Sequence, residues 1–183
     1  MVTAVRKLDI GCGQNKTPGF KGIDLSSGAD IKHDLFSFPW PIKANSVSEV
    51  VCNHFVEHIP HYIPGLEPGR DGWDYFWAEV YRICRKNATV KVVHPFARSE
   101  RAFWDPTHVR YIEAVTWNYL SKQWREAQQI DHYVSQYDFE IIAMKRCGIP
   151  DDIAIGSMET KTFAFSRYWN VITELEVVLK VRK

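Results

Sequence analysis

The stretch Leu8-Asp9-Ile10-Gly11-Cys12-Gly13 decides the fold of this chain. Apolar residues over residues 4–10 predict a short strand, and the glycines directly after it predict a sharp turn. A strand that ends in Gly-x-Gly lets the backbone lie close against a ligand. Because such turns also occur without a ligand, the meaning of this one depends on the residues that follow.

Further short apolar runs follow the glycine turn at the spacing of an α/β sheet. They predict strands at residues 21–25, 29–35, 48–53 and 89–95. Helical periodicity predicts a helix over residues 73–85, and two late runs, residues 139–146 and 171–180, predict an antiparallel closing pair. The sequence therefore predicts an α/β fold with an open, mostly parallel sheet, an antiparallel C-terminal edge hairpin and helices on both faces.

Length and composition fit one globular domain. The chain has 183 residues, 45% of them hydrophobic and 25% charged, which supports a single domain over residues 1–183. Within it, the charged and aromatic residues 97–128 predict a substrate-side insertion of loop with one helix or two short ones. The formal net charge of +1 gives no strong nucleic-acid signal, and no apolar run predicts a membrane span. With 4 cysteines and no C-x-x-C pair, we expect a cytoplasmic protein whose oligomeric state stays open.

Two acidic residues stand where later strands are predicted to end. Asp24 closes the run Gly22-Ile23-Asp24, and Asp34 follows His33 in the third predicted strand. In a parallel sheet, ligands bind outside the carboxyl ends of the strands, where a carboxylate can hold both hydroxyls of a ribose. The glycine turn followed in order by these aspartates is therefore stronger evidence for a nucleoside ligand than either feature alone.

This combination resembles the class I S-adenosylmethionine-dependent methyltransferases over residues 7–95. The resemblance implies a Rossmann-like fold, S-adenosylmethionine as cofactor and S-adenosylhomocysteine as product. It also implies cofactor contacts at four places along the chain. These are Asp9, Gly11, Cys12 and Gly13 at the methionine part, Asp24 with Leu25 at the ribose, Asp34 and Leu35 at the adenine, and Asn53, His54 and Phe55 beside the methionine and the methyl group.

The glycine turn departs from the longer family pattern. Asn15 replaces the third glycine, and Gly13 and Gly22 are too close for a full helix between them. A dinucleotide fingerprint has about 20 residues between its glycine turn and its acidic residue. The first helix is therefore expected to be a stub or missing. A nicotinamide cofactor is disfavoured, because its pyrophosphate prefers a helix N-terminus at this place.

Residues 54–58 also match H-x-x-E-H, the inverted zinc-protease pattern, with His61 as a third imidazole. That pattern requires both histidines on one face of a helix. Pro60 limits any helix here to little more than one turn, and the segment directly follows a predicted strand. We therefore expect no metal ligands, and a zinc hydrolase is kept as the weakest alternative.

Methyl transfer to an oxygen or an unactivated nitrogen needs a group that removes a proton. The candidates that the chain offers near predicted strand ends are His94, His108 and Asp105, with His54 as a further histidine. Each has a structural alternative. The histidines can be hydrogen-bonded core residues, and Asp105 before Pro106 suits a helix N-cap or a turn.

Taken together, these features predict a methyltransferase that moves the methyl group of S-adenosylmethionine by in-line displacement. The acceptor is unidentified, and the near-neutral charge favours a small molecule or a glycan precursor over nucleic acid. The alternative is a catalytically inactive S-adenosylmethionine-binding protein with a regulatory or interaction role.

Overall fold

The computed structural model describes residues 5–67, 69–133 and 137–183. Its strands form one seven-stranded sheet. They are β1 (Lys7–Ile10), β2 (Lys21–Asp24), β3 (Ile31–Lys32), β4 (Val47–Asn53), β5 (Cys84–Pro95), β6 (Phe139–Cys147) and β7 (Glu174–Val181). The spatial order is β3-β2-β1-β4-β5-β7-β6, in which β1 to β5 pair in parallel and β7 runs antiparallel to β5 and β6.

The helices lie after β4, and most of them are short. The α-helices are α1 (Gly72–Ile83), α2 (Arg101–Trp104), α3 (Lys122–Ala127), α4 (Asp151–Ala154) and α5 (Met158–Arg167), and 3-10 helices occupy Val56–His58, Ala114–Leu120 and Asp131–Tyr133. Helix α1 begins after Asp71, whose side chain accepts a hydrogen bond from the backbone N–H of Trp73. Among the helices that the structure describes, none is long and apolar enough to cross a membrane.

The predicted fold is confirmed, with corrections at several boundaries. In the described chain β1 and β2 are joined by turns alone, as the short spacing after Gly13 predicts. Arg85, predicted in the last turn of the helix, lies in β5, because α1 ends at Ile83 and the chain enters the strand directly. Residue 4, predicted at the start of the first strand, lies outside the described residues.

The two closing strands form the predicted antiparallel pair at the edge of the sheet, with a long connection between them. Helices α4 and α5 lie between β6 and β7 in sequence, and β7 enters between β5 and β6 in space. Strand β6 is therefore one edge strand of the sheet, and β3 is the other.

The two faces of the sheet differ in cover. Along β5, Val90 and Val92 are buried, whereas Lys91 and Val93, which alternate with them, stay partly exposed. Helix α1 packs on the side of Val90 and Val92, where the ring of Trp77 lies 5.5 Å from that of Phe139. We call this side the covered face and the opposite side the open face.

The Ala114–Leu120 helix and α5 contact the covered face as well. Trp117 of the Ala114–Leu120 helix contacts His94, and Phe165 of α5 stacks under Arg146, which pairs with Leu175. These contacts confirm the predicted helices on the covered face. On the open face of the described strands, the connections from β1 to β2 and from β2 to β3 contain no helix that could cover it.

Candidate functional site

The strands β1, β2 and β4 run in parallel, so their carboxyl ends meet at one edge of the sheet. Gly11 follows β1 with φ of 68°, a left-handed conformation that favours glycine. A Cβ atom at Gly11 would overlap the ring of Phe55, which follows β4. The glycine therefore lets the turn after β1 pack directly on the segment after β4.

Gly13 also has a positive φ, 51°, and a Cβ built on it would meet open space. Its backbone N–H donates to Oδ2 of Asp24 at 3.1 Å, and the N–H of Ser26 donates to Oδ1 at 2.7 Å. The Ser26 hydroxyl in turn donates to the carbonyl of Gly13 at 2.6 Å. Because an ionised carboxylate offers about four acceptor positions, Asp24 retains capacity for two ligand hydroxyls.

Asp9 and Cys12 are buried and support the glycine turn after β1. Asp9 is buried, and its Oδ2 accepts a hydrogen bond from the N–H of Thr17 at 2.7 Å. Cys12 is buried next to Gly22, and burial, together with nearby Asp24, raises the pKa of its thiol. The Asp9 side chain thus holds the loop in place. The backbone of the glycines is the part of the turn that can approach a ligand closely.

The residues expected at the adenine lie after β3 in a closed turn. Asp34 accepts hydrogen bonds from the N–H of Phe36 at 2.9 Å and the hydroxyl of Ser37 at 3.2 Å. Leu35 is buried, and its carbonyl accepts from the indole of Trp40 at 3.1 Å. Leu25, by contrast, is 61% exposed beside Asp24.

Asn53, His54 and Phe55 follow β4 at the same edge. Asn53 and His54 are exposed, and His54 has φ of 51° while its N–H donates to the carbonyl of Val93 at 2.8 Å. The ring of Phe55 stacks on Phe36 with centroids 5.7 Å apart. This stack connects the end of β4 with the turn after β3.

Glu57 lies at the centre of a cluster that the sequence did not predict. Its side chain is 2% exposed, and Oε1 lies 3.4 Å from Nδ1 of His54 and 3.9 Å from Nε2 of His108. One ligand atom from each of Glu57, His58 and His108 lies within 4.8 Å of the others. The H-x-x-E-H pattern contains Glu57 and His58 but not His108, which comes from a distant segment. The neighbouring Glu57 carboxylate raises the pKa of His54.

His94 does not have the geometry of a general base, which corrects the prediction. It is fully buried, Nδ1 lies 2.8 Å from the carbonyl of Pro95, and Nε2 accepts from the indole N–H of Trp117 at 3.1 Å. Both ring nitrogens are thus engaged. Burial lowers the pKa of His94 to about 4, so the ring is neutral and structural.

Asp105 is an exposed turn residue and acts through its neighbour. Its Oδ1 accepts from both the N–H and the hydroxyl of Thr107, at 2.8 and 2.6 Å, and these bonds lower its pKa. The Thr107 oxygen lies 3.0 Å from Nδ1 of His58. Asp105 therefore orients His58 through Thr107. Its backbone carbonyl also accepts a hydrogen bond from the N–H of His108 at 3.1 Å.

A cavity of about 890 Å³ opens beside the N-terminus of α1, away from the glycine turn. Trp73, Arg110 and Tyr111 line it, and the Arg110 guanidinium donates to Asp71 at 2.6 Å. The backbone N–H groups of residues 109 and 110 both donate to the carbonyl of Glu57 at 3.0 Å. One segment therefore forms both a wall of the cavity and a support of the Glu57 cluster.

No protein-family model matches the chain, and no curated protein matches it significantly. Solved structures do match. An S-adenosylmethionine-dependent methyltransferase from Archaeoglobus fulgidus has 16% identity and a TM-score of 0.54, with 98% of this chain and 87% of that chain covered. The [4+2]-cyclase SpnF has 13% identity and a TM-score of 0.55, with 100% and 77% covered. Geranyl diphosphate C-methyltransferase from Streptomyces coelicolor A3(2), solved with Mg²⁺, geranyl diphosphate and S-adenosylhomocysteine, has 9% identity and a TM-score of 0.53, with 97% and 73% covered.

At these identities the likeness concerns the fold. The chain has the Rossmann-like fold of the class I S-adenosylmethionine-dependent methyltransferases, as the order of its motifs predicts. One protein of this fold is named as a cyclase, so the fold alone does not determine the reaction.

Proposed function

We propose that this chain binds S-adenosylmethionine at the carboxyl edge of β1, β2 and β4 and transfers its methyl group to an acceptor, releasing S-adenosylhomocysteine. The observation that carries the proposal is the carboxylate of Asp24, bonded to the N–H of Gly13 at 3.1 Å beside open space at that glycine. A nucleoside ligand needs such a pairing of a close-approach backbone with a diol acceptor.

The remaining cofactor contacts follow from the strand ends. Asp24 binds the ribose hydroxyls, with Leu25 covering the sugar. Gly11 and Gly13 face the methionine part, and Asp34 with Leu35 faces the adenine. Support for this assignment comes from the direct packing of the turn after β1 on Phe55 and from the stack of Phe55 on Phe36. Asn53 and His54 are exposed next to that stack and border the transferred methyl group.

In the transfer, a lone pair of the acceptor forms a bond to the methyl carbon. The carbon–sulfur bond breaks, and its electron pair stays on sulfur, which becomes the neutral thioether of the product. Positioning supplies most of the rate acceleration of such a displacement. A protonated oxygen or nitrogen acceptor also has to lose its proton, and the cluster of Glu57, His58 and His108 is the part of the site equipped to assist.

The cavity beside α1 suits a small molecule or a glycan precursor as the methyl acceptor. A cavity of about 890 Å³ lies in the size range of small-molecule sites, and its wall combines the rings of Trp73 and Tyr111 with Arg110. Residues 109–119 of the 97–128 insertion contribute to this wall. The insertion thus serves the acceptor within a single domain over residues 1–183.

Calorimetric titration with S-adenosylhomocysteine tests the proposal. We expect saturable binding by the natural chain and binding about 10- to 100-fold weaker by Asp24→Asn, because hydrogen bonds to a charged group are lost. Glu49→Gln is the matched control, since that carboxylate lies on the open face in a pair with Lys7 and should leave the affinity unchanged.

Three outcomes are informative. Absence of binding by the folded natural chain would overturn the proposal. Equal affinity of Asp24→Asn would remove the ribose assignment alone. Binding without methyl transfer to a panel of sugar and small-molecule acceptors would favour the inactive regulatory protein.

A further inference from the structure

We propose that Glu57, His58 and His108 form a binding site for a divalent transition-metal ion of the Zn²⁺ type. The site departs from the sequence-based expectation of no metal. Its role in polarising the acceptor rests on the proposed methyl transfer, whereas metal binding itself does not.

The spacing of the three groups suits one ion. Zn²⁺ binds imidazole nitrogen and carboxylate oxygen at about 2.0–2.2 Å, so two ligand atoms on one tetrahedral ion lie about 3–4 Å apart. Oε1 of Glu57 and Nε2 of His108 are 3.9 Å apart, and an atom of His58 completes a set within 4.8 Å.

Hydrogen bonds fix both histidines in the tautomer that a metal requires. Nδ1 of His108 lies 3.0 Å from the carbonyl of Ala102, which can only accept, so Nδ1 carries the proton and Nε2 has a free lone pair. Nδ1 of His58 lies 3.3 Å from the carbonyl of Thr107, with the same consequence. The unprotonated Nε2 of His108 therefore faces the Glu57 carboxylate at 3.9 Å, an arrangement that a cation between them would stabilise.

The burial of Glu57 is an independent reason to expect a metal ion at this cluster. Its carboxylate is 2% exposed, and neither of its oxygens accepts a hydrogen bond within the described part of the chain. A buried ionised carboxylate without hydrogen bonds is costly, and such groups are normally paired or coordinate a metal. His54, at 3.4 Å, faces the same oxygen from a half-exposed position and is the nearest alternative counter-charge.

The cluster also has the outer-shell support typical of metal sites. Metal-binding histidines commonly donate their second N–H to a carbonyl or a carboxylate. His58 reaches the carboxylate of Asp105 through the Thr107 hydroxyl, at 3.0 and 2.6 Å, and His108 is held by the Ala102 carbonyl. Asp105 is thus a positioning residue.

The ligand set selects the metal. Two imidazoles and one carboxylate suit Zn²⁺, Co²⁺ or Fe²⁺, whereas Mg²⁺ and Ca²⁺ prefer oxygen ligands. Three protein ligands leave a coordination position open, as in catalytic zinc sites. An acceptor oxygen bound there would lose its proton more readily, which is the assistance that the methyl transfer requires.

The test is a titration of the chelator-treated chain with Co²⁺, followed by its visible absorption, and then by competition with Zn²⁺. We expect one equivalent to bind. His108→Gln should weaken Zn²⁺ binding by more than about 100-fold, and Thr107→Val by about tenfold, because outer-shell losses typically cost 10- to 100-fold. His61→Gln is the matched control, since His61 is exposed, pairs with Asp71 and lies outside the cluster.

His54→Gln separates this site from the H-x-x-E-H pattern. The proposed cluster predicts less than about a threefold change for His54→Gln, whereas the inverted zinc-protease pattern predicts a loss like that of a ligand. Absence of Co²⁺ bands, or equal affinity of natural chain and His108→Gln, would overturn the proposal. Calorimetry with S-adenosylhomocysteine on the same samples keeps the two proposals apart, because cofactor binding without metal binding refutes only the metal site.

Discussion

The covered face and the open face of the sheet are protected from water in different ways. The covered face is packed under aromatic side chains, with Trp77, Trp117 and Phe139 fully buried. The open face carries the ion pairs Lys7–Glu49 and Lys91–Glu176, whose side chains are partly in solvent. The proposed ligand edge is nevertheless formed at the ends of β1 and β2, although the described residues between these strands contain no helix. The comparison teaches that turns and strand ends are sufficient to build this edge.

Replacing Trp77 should produce the largest effect on stability. The ring lies between α1, the Ala114–Leu120 helix and β6, with Trp117 and Phe139 at 5.6 and 5.5 Å. Trp77→Ala should lower the free energy of unfolding by about 3–5 kcal/mol, because a large cavity opens on the covered face. Urea denaturation measures this change.

Trp77→Phe is the matched variant for that experiment. The indole N–H of Trp77 is buried without a hydrogen-bond partner in the described chain, so phenylalanine keeps a ring and removes an unsatisfied group. We expect less than half of the destabilisation seen with alanine. Similar losses of unfolding free energy in both variants would show that stability depends on the exact shape of the indole and not on the presence of an aromatic ring.

His94 should make the covered face sensitive to acid. Its pKa is about 4 in the folded chain against 6.5 for the exposed group, so the unfolded chain binds the proton first as the pH falls. Its contribution is fully present above about pH 6.5 and is lost towards pH 4, by up to about 3 kcal/mol. Denaturation midpoints across this range, measured with chelator present, should fall more steeply for the natural chain than for His94→Gln. Parallel curves would contradict the assignment.

The smallest effect is expected on the open face. Nζ of Lys91 lies 2.8 Å from Glu176, with the side chains 44% and 29% exposed. A double-mutant cycle of Lys91→Ala and Glu176→Ala should give a coupling below about 1 kcal/mol that decreases with salt. A larger coupling that salt does not reduce would show that this face is shielded from solvent and would undo the comparison.

Contacts between residues close in sequence could be predicted from the sequence, whereas contacts between distant segments could not. Asp24 and Gly13 are joined across one short connection, so strand, turn and aspartate can be recognised in order along the chain. The cluster at Glu57 needs His108, and the neutral state of His94 needs Trp117. Both partners come from the insertion after β5, where short helices and loops give no clear periodicity. Their placement follows from contacts with distant segments, His108 beside Glu57 and Trp117 beside His94, which periodicity within one segment does not encode.

The position of β7 has a consequence for how the molecule is made. Strand β7 is the last of the seven in sequence, yet it lies between β5 and β6. During synthesis, β5 and β6 emerge first, and each keeps an unpaired backbone edge until β7 has left the ribosome. Exposed strand edges invite pairing with other chains. Slowing translation before β7 is therefore expected to lower the yield of soluble protein.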